Sequence, residues 1–131
     1  HHRSTSSRTA SASDASRLES CAAAFDALLF PVAGVRASGT IVVANQTFAR
    51  LLKQSLTELE GTEVYETRLA SIHPGLREDL RLVAMDGKVL HRRLTLTRPD
   101  GSRRHLRLTM TPAKGLAGDC LISLHPASGD Q

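Results

Sequence analysis

The side chains that could support catalysis or metal binding are few, and their spacing matches no reactive arrangement. Cys21 and Cys120 lie far apart and fit no metal-ligand pattern, and the terminal pair His1 and His2 is typical of a purification-tag remnant. The chain has no G-x-S-x-G, H-E-x-x-H or Walker motif, and no serine or cysteine stands in pattern with a histidine and an acid. These residues argue against an enzyme.

Arg92 is the charged residue whose position most needs an explanation. Strict alternation from Leu90 to Leu94 places its side chain on the apolar face of a strand, where an unpaired charge is costly. Three outcomes are open: a carboxylate pairs with it, the side chain reaches past the strand edge to water, or it binds an anionic ligand. Because strand-end arginines usually extend to water, we favour the first two together.

The first element expected is an N-terminal amphipathic helix. Ser16 and Glu19 have the three-residue spacing of a capping box, which is typical of a helix start. Apolar side chains then recur at three-, four- and seven-residue steps and stop before Pro31. Such a stripe either covers the domain's own sheet or forms a seam between two copies of the chain. Its members are Leu18, Cys21, Ala22, Phe25, Leu28 and Leu29.

Signals for a hairpin and two capped helices follow. The runs 32–37 and 40–44 are rich in β-forming residues and are separated by a serine and a glycine, which predicts a hairpin. Asn45 closes the second run and can cap a helix. Ser55 and Glu58 repeat the capping-box spacing, which predicts a second short helix.

The second half of the chain predicts one longer helix and three strands. Segment 62–72 is ambiguous, and the helix after it is expected to start with Pro74 in its first position and to end at Gly87. The strands are expected at 88–97, 102–111 and 119–125. Because helices and strands do not alternate along the chain, we predict an α+β fold with a five-stranded antiparallel sheet and short helices on one face.

Composition limits the class of protein. With 131 residues the chain fits one domain, and a net charge of +4 is weak support for an acidic partner. No apolar run approaches the roughly 18 residues of a membrane-spanning helix, so no membrane contact is expected. Two unpaired cysteines fit free thiols in a reducing cytoplasm, which makes a cytoplasmic location the expectation.

Two segments carry a resemblance to a known family. TIVVANQTFARLLKQSLTELEG and LTRPDGSRRHLRLTMTPAKGLAGDCLISL resemble the strand, Asn, helix and Gly pattern and the last three strands of a PAS domain, the sensory module of bacterial signalling proteins. The similarity covers residues 28–126. It implies a five-stranded antiparallel sheet, helices that enclose a small pocket on one face, and frequent dimerisation through an N-terminal helix. The matching positions are Asn45, Gly61, His73, Pro74, Gly87, Asp100, Gly101, Pro112 and Gly118.

The resemblance also bears on cofactors. Flavin-adduct photosensors of this family need a reactive cysteine in the stretch that reads YETRLASIHP here, and it has none, so covalent flavin is rejected. The absence of tryptophan also disfavours a non-covalent flavin site. A haem group needs an axial ligand facing the pocket, and His73 is the nearest candidate. We interpret His73 as a helix-boundary residue instead, and we expect His91 and His105 on the polar face of their strands.

The expected function is a signal-transduction input domain. It would sense a small molecule or a partner and transmit the result, through a homodimer, to a covalently linked effector domain. Nothing that resembles a kinase, cyclase or DNA-binding effector follows in the sequence. His125, Pro126 and Ala127 stand where the family usually has an Asp-Ile-Thr-like ending. The chain is thus expected to be an excised input domain, with a tail or tag remnant at 1–13, a dimerisation helix at 14–30, the sensory domain at 31–126 and a tail at 127–131.

Inward strand positions and helix faces define the candidate sites. The candidate ligand-binding residues are Val43, Phe48, Tyr65, Leu80, Arg92, Leu108 and Ile122. The candidate dimer interface consists of Leu18, Cys21, Phe25, Leu28 and Leu29, and no catalytic or metal-binding residue is predicted.

Two alternatives remain. One is a purely structural dimerisation module without a ligand. The other is a basic nucleic-acid-contacting module, disfavoured because the chain has one tyrosine and three phenylalanines for base stacking. That module would use Arg92, Arg93, Arg98, Arg103, Arg104 and Arg107.

Overall fold

The fold is built on one antiparallel sheet. The structure is a computed structural model that describes residues 23–25, 27–115 and 118–127. Its strands are β1 (Val32–Val35), β2 (Ile41–Ala44), β3 (Leu90–Thr97), β4 (Arg103–Pro112) and β5 (Cys120–Pro126). They lie in the spatial order β2-β1-β5-β4-β3. The predicted α+β fold is confirmed. Leu18, Cys21 and Ala22 of the expected N-terminal helix lie outside the described residues. Residues 23–25 are helical, but Leu28 and Leu29 lie in the non-helical segment that leads to β1, so the expected extension of this helix to residue 30 is wrong.

Short helices connect β2 to β3 and cover one face of the sheet. They are α1 (Gln46–Leu52), α2 (Leu56–Leu59), a 3₁₀ turn (Val64–Glu66), α3 (Arg68–Ile72) and α4 (Leu76–Asp86). The ambiguous segment 62–72 therefore contains the 3₁₀ turn and α3. Ser55 and Glu58 form the predicted capping box at the start of α2. Gly87 ends α4 in the left-handed conformation, as its predicted position required.

The expected start of the longer helix at Pro74 is wrong. The Leu76 N–H donates to the carbonyl of His73 at 3.1 Å, so Pro74 and Gly75 lie in a turn between α3 and α4. Gly75 occupies the cap position and the helix begins at Leu76. Proline fits this turn because its ring fixes φ without needing a hydrogen-bond donor.

Alternation along β3 and β4 separates the two faces of the sheet. Leu94 pairs with Leu106 and Arg92 with Leu108, and this inner face carries the apolar core beneath the helices. Thr95 opposite His105 belongs to the outer face. The period of two in the sequence therefore translates directly into one buried and one polar face.

The β1–β2 pair departs from strict alternation. Its register runs from Gly34 opposite Val43 to Val35 opposite Ile41, which leaves Val42 as an extra residue in β2. Just before β5, Gly118 lies so close to the end of β1 that a Cβ at this position would stand 2.4 Å from the carbonyl oxygen of Val35. Only glycine fits this approach, and its φ of +111° also favours glycine.

No helix within the described ranges combines the length and the hydrophobicity needed to cross a lipid bilayer.

Asn45 joins three chain segments through one buried amide. Its Oδ1 accepts hydrogen bonds from the N–H groups of Phe48 at 2.9 Å and Val32 at 3.2 Å. Its Nδ2 donates to the carbonyls of Phe30 at 2.8 Å and Phe25 at 3.0 Å. The predicted cap of α1 is thus confirmed, and the same side chain also fixes the segment that leads into β1.

We expect Asn45→Ala to lower the free energy of unfolding by about 2–3 kcal/mol, because it removes a helix cap and also leaves buried backbone donors and acceptors without hydrogen-bond partners. Ser55→Ala is the matched control, since it removes a solvent-exposed cap and should cost about 0.5–1 kcal/mol. Chemical denaturation followed by circular dichroism measures both. Equal costs would contradict the bridging role of Asn45.

Candidate ligand site and buried charge cluster

Four of the seven predicted ligand-binding residues meet in the core. Phe48 of α1, Leu80 of α4, Leu108 of β4 and Ile122 of β5 are fully buried and belong to one apolar cluster. Burial of such side chains stabilises the fold by roughly 1.5–3 kcal/mol each. The sequence pattern therefore identified residues that share the space between helices and sheet.

Val43 does not join them. It pairs opposite Gly34, whereas its neighbour Ala44 pairs opposite Ala33 and lies in the core cluster. Strict alternation would put Val43 on the same face as Ile41, but the extra residue Val42 reverses the direction of the side chains between them. Val43 is buried on the outer side of the sheet, so its prediction as an inward-facing residue is wrong.

Tyr65 lies at the margin of the core. Its ring is half-buried, and the guanidinium of Arg77 stands 4.0 Å from the ring centroid. Burial raises the pKa of Tyr65, and the charge of Arg77 opposes that rise. Gly39 lies against the ring so closely that a Cβ there would stand 2.5 Å from a ring carbon. The tyrosine thus closes the end of the β1–β2 hairpin.

Arg92 pairs with a carboxylate, the first of the three alternatives. Its Nε donates to Oδ2 of Asp79 at 2.9 Å, and its terminal nitrogen donates to Oδ1 at 3.0 Å. The Arg92 side chain is 42% exposed and the Asp79 side chain 7% exposed. The arginine therefore lies between the edge of the sheet and water, with its two donors directed at a buried acid.

His73 contacts the same carboxylate. Its Nε2 lies 2.7 Å from Oδ2 of Asp79, and its backbone N–H closes α3 by donating to Leu69. The interpretation of His73 as a helix-boundary residue is confirmed. Burial opposes the charge of Asp79, but the hydrogen bonds from Arg92 and His73 outweigh it and hold the pKa of Asp79 below its usual value of 3.8.

We call Asp79, Arg92 and His73 the charge cluster. It ties the end of α3, the first turn of α4 and strand β3 to one carboxylate. Both oxygens of Asp79 accept hydrogen bonds and point at donors, so the group serves as a structural link rather than a general base. Sequence reasoning missed Asp79, although its spacing from Leu76 and Val83 places it on the apolar side of α4.

The Cys120 thiol and the histidines of the sheet are the other candidate reactive groups. Burial raises the pKa of the Cys120 thiol to about 12, so it is a poor nucleophile. Within the described part of the chain, no group of three or more His, Cys, Asp or Glu residues is placed to hold a metal ion. His91 and His105 lie on the polar outer face as expected, where cross-strand hydrogen bonds join them to Thr109 and Thr95.

The six arginines considered for nucleic-acid contact do not share one surface. Arg92 is in the charge cluster, and the strand register places Arg93, Arg103 and Arg107 on the outer face. Arg98 and Arg104 instead line a cleft at the tip of the β3–β4 hairpin. Their cationic charge is thus divided among three places.

This arrangement of sheet, connecting helices and C-terminal hairpins agrees with a comparison of sequences. A family model of the PAS fold matches residues 25–125. The chain belongs to the PAS family. The predicted resemblance is therefore confirmed, and PAS domains are generally sensory rather than catalytic.

Solved structures of PAS and LOV proteins are similar to this PAS chain. VqmA bound to DPO has a TM-score of 0.69 at 18% identity, over 82% of this chain and 56% of that chain. The PAS domain of Bordetella pertussis BvgS has a TM-score of 0.69 at 15% identity, over 88% and 89%. The Rhodobacter sphaeroides LOV protein has a TM-score of 0.63 at 19% identity, over 86% and 67%.

At identities below 25%, these structural similarities show the fold alone. A search of curated proteins finds no match to the chain. The PAS chain spans 56% of the length of the VqmA chain it resembles.

We expect Asp79→Asn to lower the free energy of unfolding by roughly 2 kcal/mol at pH 7, less than for a fully buried pair because water reaches Arg92. Since the folded-state pKa of Asp79 is depressed, its contribution is present above about 3.8 and is lost as the pH falls through the folded-state value. The difference in the free energy of unfolding between wild type and variant should therefore become smaller below about pH 4.

Denaturation at several pH values measures this difference. Arg81→Gln is the control, because it breaks the exposed pair with Glu78 on the same helix and should change stability by less than about 0.5 kcal/mol. A difference for Asp79→Asn that stays constant down to pH 2 would contradict the assignment.

Proposed function

We propose that this PAS chain is the sensory input domain of a bacterial signalling protein. In this proposal residues 31–126 sense a small molecule or a partner, and residues 14–30 transmit the result through a homodimer to a linked effector domain. The observation that carries it is the PAS fold across residues 25–125. The match to only 56% of VqmA, a protein solved with DPO bound, supports a module that acts within a longer chain.

The space beneath the inner face of the sheet is the proposed sensing site. Phe48, Leu80, Leu108 and Ile122 form its walls, and Tyr65 and Arg92 lie at its margin. Because the four wall residues are fully buried, a ligand would enter by moving α4 away from the sheet. Such movement would strain the charge cluster, which gives ligand binding a way to favour one of two arrangements of helix and sheet.

The N-terminal segment is the proposed dimer seam. Leu29 is 93% exposed, Leu28 is also exposed and Phe25 is half-buried, so part of the apolar stripe faces away from its own domain. Leu18 and Cys21 would extend the same seam. A second copy is the simplest partner for such a stripe, since a two-fold axis brings like surfaces together.

A structural dimerisation module without a ligand is the second candidate. The observation that favours it is the closed core, in which Phe48, Leu80 and Leu108 leave no exposed surface. Both candidates share the dimer and differ in whether the inner face ever accommodates a small molecule. The two candidates are distinguished by measuring whether a small molecule is bound to the purified protein.

Native mass spectrometry of freshly purified protein is expected to show the added mass of a bound small molecule, which is lost on denaturation. An absorbance spectrum of the same sample shows whether that molecule is coloured. Leu108→Phe should abolish the extra mass, because it fills the inner face and such overpacking costs about 1–3 kcal/mol. Thr109→Val, on the opposite face of the same strand, is the control that should retain it. A colourless chain at its bare mass would contradict sensing and leave the structural module.

We expect the double change Leu28→Glu and Leu29→Glu to convert a dimer into a monomer, because it places charge in an apolar seam. Multi-angle light scattering across a range of concentrations measures the molar mass. The control is Met85→Glu, which adds charge at another exposed apolar residue, 70% exposed on α4, and should leave the dimer intact. A monomeric wild type, or equal effects of both changes, would overturn the proposed seam.

A further inference from the structure

A cleft of about 470 Å³ opens between α1 and the tip of the β3–β4 hairpin. Its apolar lining residues are Pro31, Leu51, Leu96 and Pro99. None of the seven predicted ligand-binding residues lines it. The cleft therefore lies apart from the four buried residues of the proposed sensing site, although Leu96 belongs both to its lining and to the core cluster. Its size falls within the roughly 300–1,000 Å³ typical of small-molecule sites.

Four cations line this cleft from two elements. Arg50 and Lys53 come from the end of α1, and Arg98 and Arg104 come from the hairpin. No carboxylate in the described ranges lies within ion-pair distance of Arg50, Lys53 or Arg104. Cations gathered in excess of acids repel one another, and an anion between them would relieve that repulsion.

One carboxylate, Asp100, also lines the cleft. Its Oδ1 accepts hydrogen bonds from the backbone N–H of Ser102 at 2.9 Å and from the Ser102 hydroxyl at 2.6 Å. These bonds, which lower the pKa of Asp100, commit its charge to closing the turn, with Arg98 nearby. The balance at the cleft is four cations against one acid that already has partners.

Lys53 is the cation at the C-terminal end of α1. It ends α1 with a φ of 58°. Among the residues that the structure describes, Lys53 is the one residue other than glycine with a positive φ. Glycine is favoured in this left-handed position because it has no Cβ. The Lys53 N–H donates to the carbonyl of Arg50 at 3.2 Å, so this conformation closes α1, and the lysine contributes to the lining of the cleft.

We propose that this cleft binds a small organic anion, in which a carboxylate or phosphate group is attached to an apolar body. Arg50, Arg98 and Arg104 hold the acid group, since guanidinium forks match its geometry and make charge-assisted hydrogen bonds. Leu51, Leu96 and Pro31 contact the apolar body. The site does not depend on a ligand beneath the sheet.

Three probes test the chemistry: naphthalene-2-carboxylate, the neutral naphthalene-2-methanol and inorganic phosphate. Isothermal titration calorimetry is expected to show that the carboxylate binds most tightly, that phosphate binds more weakly, and that the neutral alcohol binds at least about tenfold more weakly than the carboxylate. Amide shifts in nitrogen–proton NMR spectra should then concentrate on residues 46–53 and 96–104.

Arg104→Gln and Arg103→Gln are a matched pair, because the two residues are adjacent in β4 and point to opposite faces. The first should weaken carboxylate binding about tenfold and the second should leave it unchanged, although both remove one positive charge. Equal weakening by both variants, or equal binding of the acid and the alcohol, would overturn the proposal. Neither result depends on whether native mass spectrometry finds a molecule beneath the sheet.

Discussion

The carboxylate of Asp79 is the constraint on which the packing of helices against the sheet depends. A charge buried beneath an apolar sheet is stable only when its partners stay in place, and the partners here come from β3 and from the end of α3. The helix α4 must therefore present this residue to Arg92 in one register. That register in turn sets which side chains of α4 contact the core.

A second constraint is the alternation of the long β3–β4 hairpin. Successive residues of a strand point to alternate faces of the sheet. Arg103 and Arg104 therefore lie on opposite sides of the sheet although they are neighbours in sequence. The basic stretch therefore divides between the outer face and the cleft beside α1. At the cleft, Arg98 and Arg104 of the hairpin are joined by Arg50 and Lys53 of α1, so four of the chain's cations line one place.

Sequence reasoning succeeded where one local rule decides the outcome. The caps at Asn45 and Ser55 and the strands at the C-terminal end follow from spacing and alternation. For Arg92, the cost of an unpaired charge left pairing with a carboxylate as one of two favoured outcomes, and the structure has that pair. Sequence reasoning failed at Val43, because a bulge cannot be seen in a run of valines, and at Pro74, which fits a turn as well as a helix start.

The acid that pairs with Arg92 and the cleft beside α1 were beyond a local pattern, since each is made by segments distant along the chain. Asp79 and Arg92 come together only when α4 crosses β3, and the cleft appears only when the hairpin tip meets α1. A search for apolar stripes also passes over an acid within the stripe. The family resemblance supplied the overall topology but none of these contacts.

A double-mutant cycle between Asp79 and Arg92 tests the central claim most directly. The free energies of unfolding of Asp79→Asn, Arg92→Gln and the double variant are compared with that of the wild type at pH 7. If the buried carboxylate holds α4 on the sheet through Arg92, the two single changes are non-additive by about 1–2 kcal/mol. Additivity within about 0.5 kcal/mol would contradict the account.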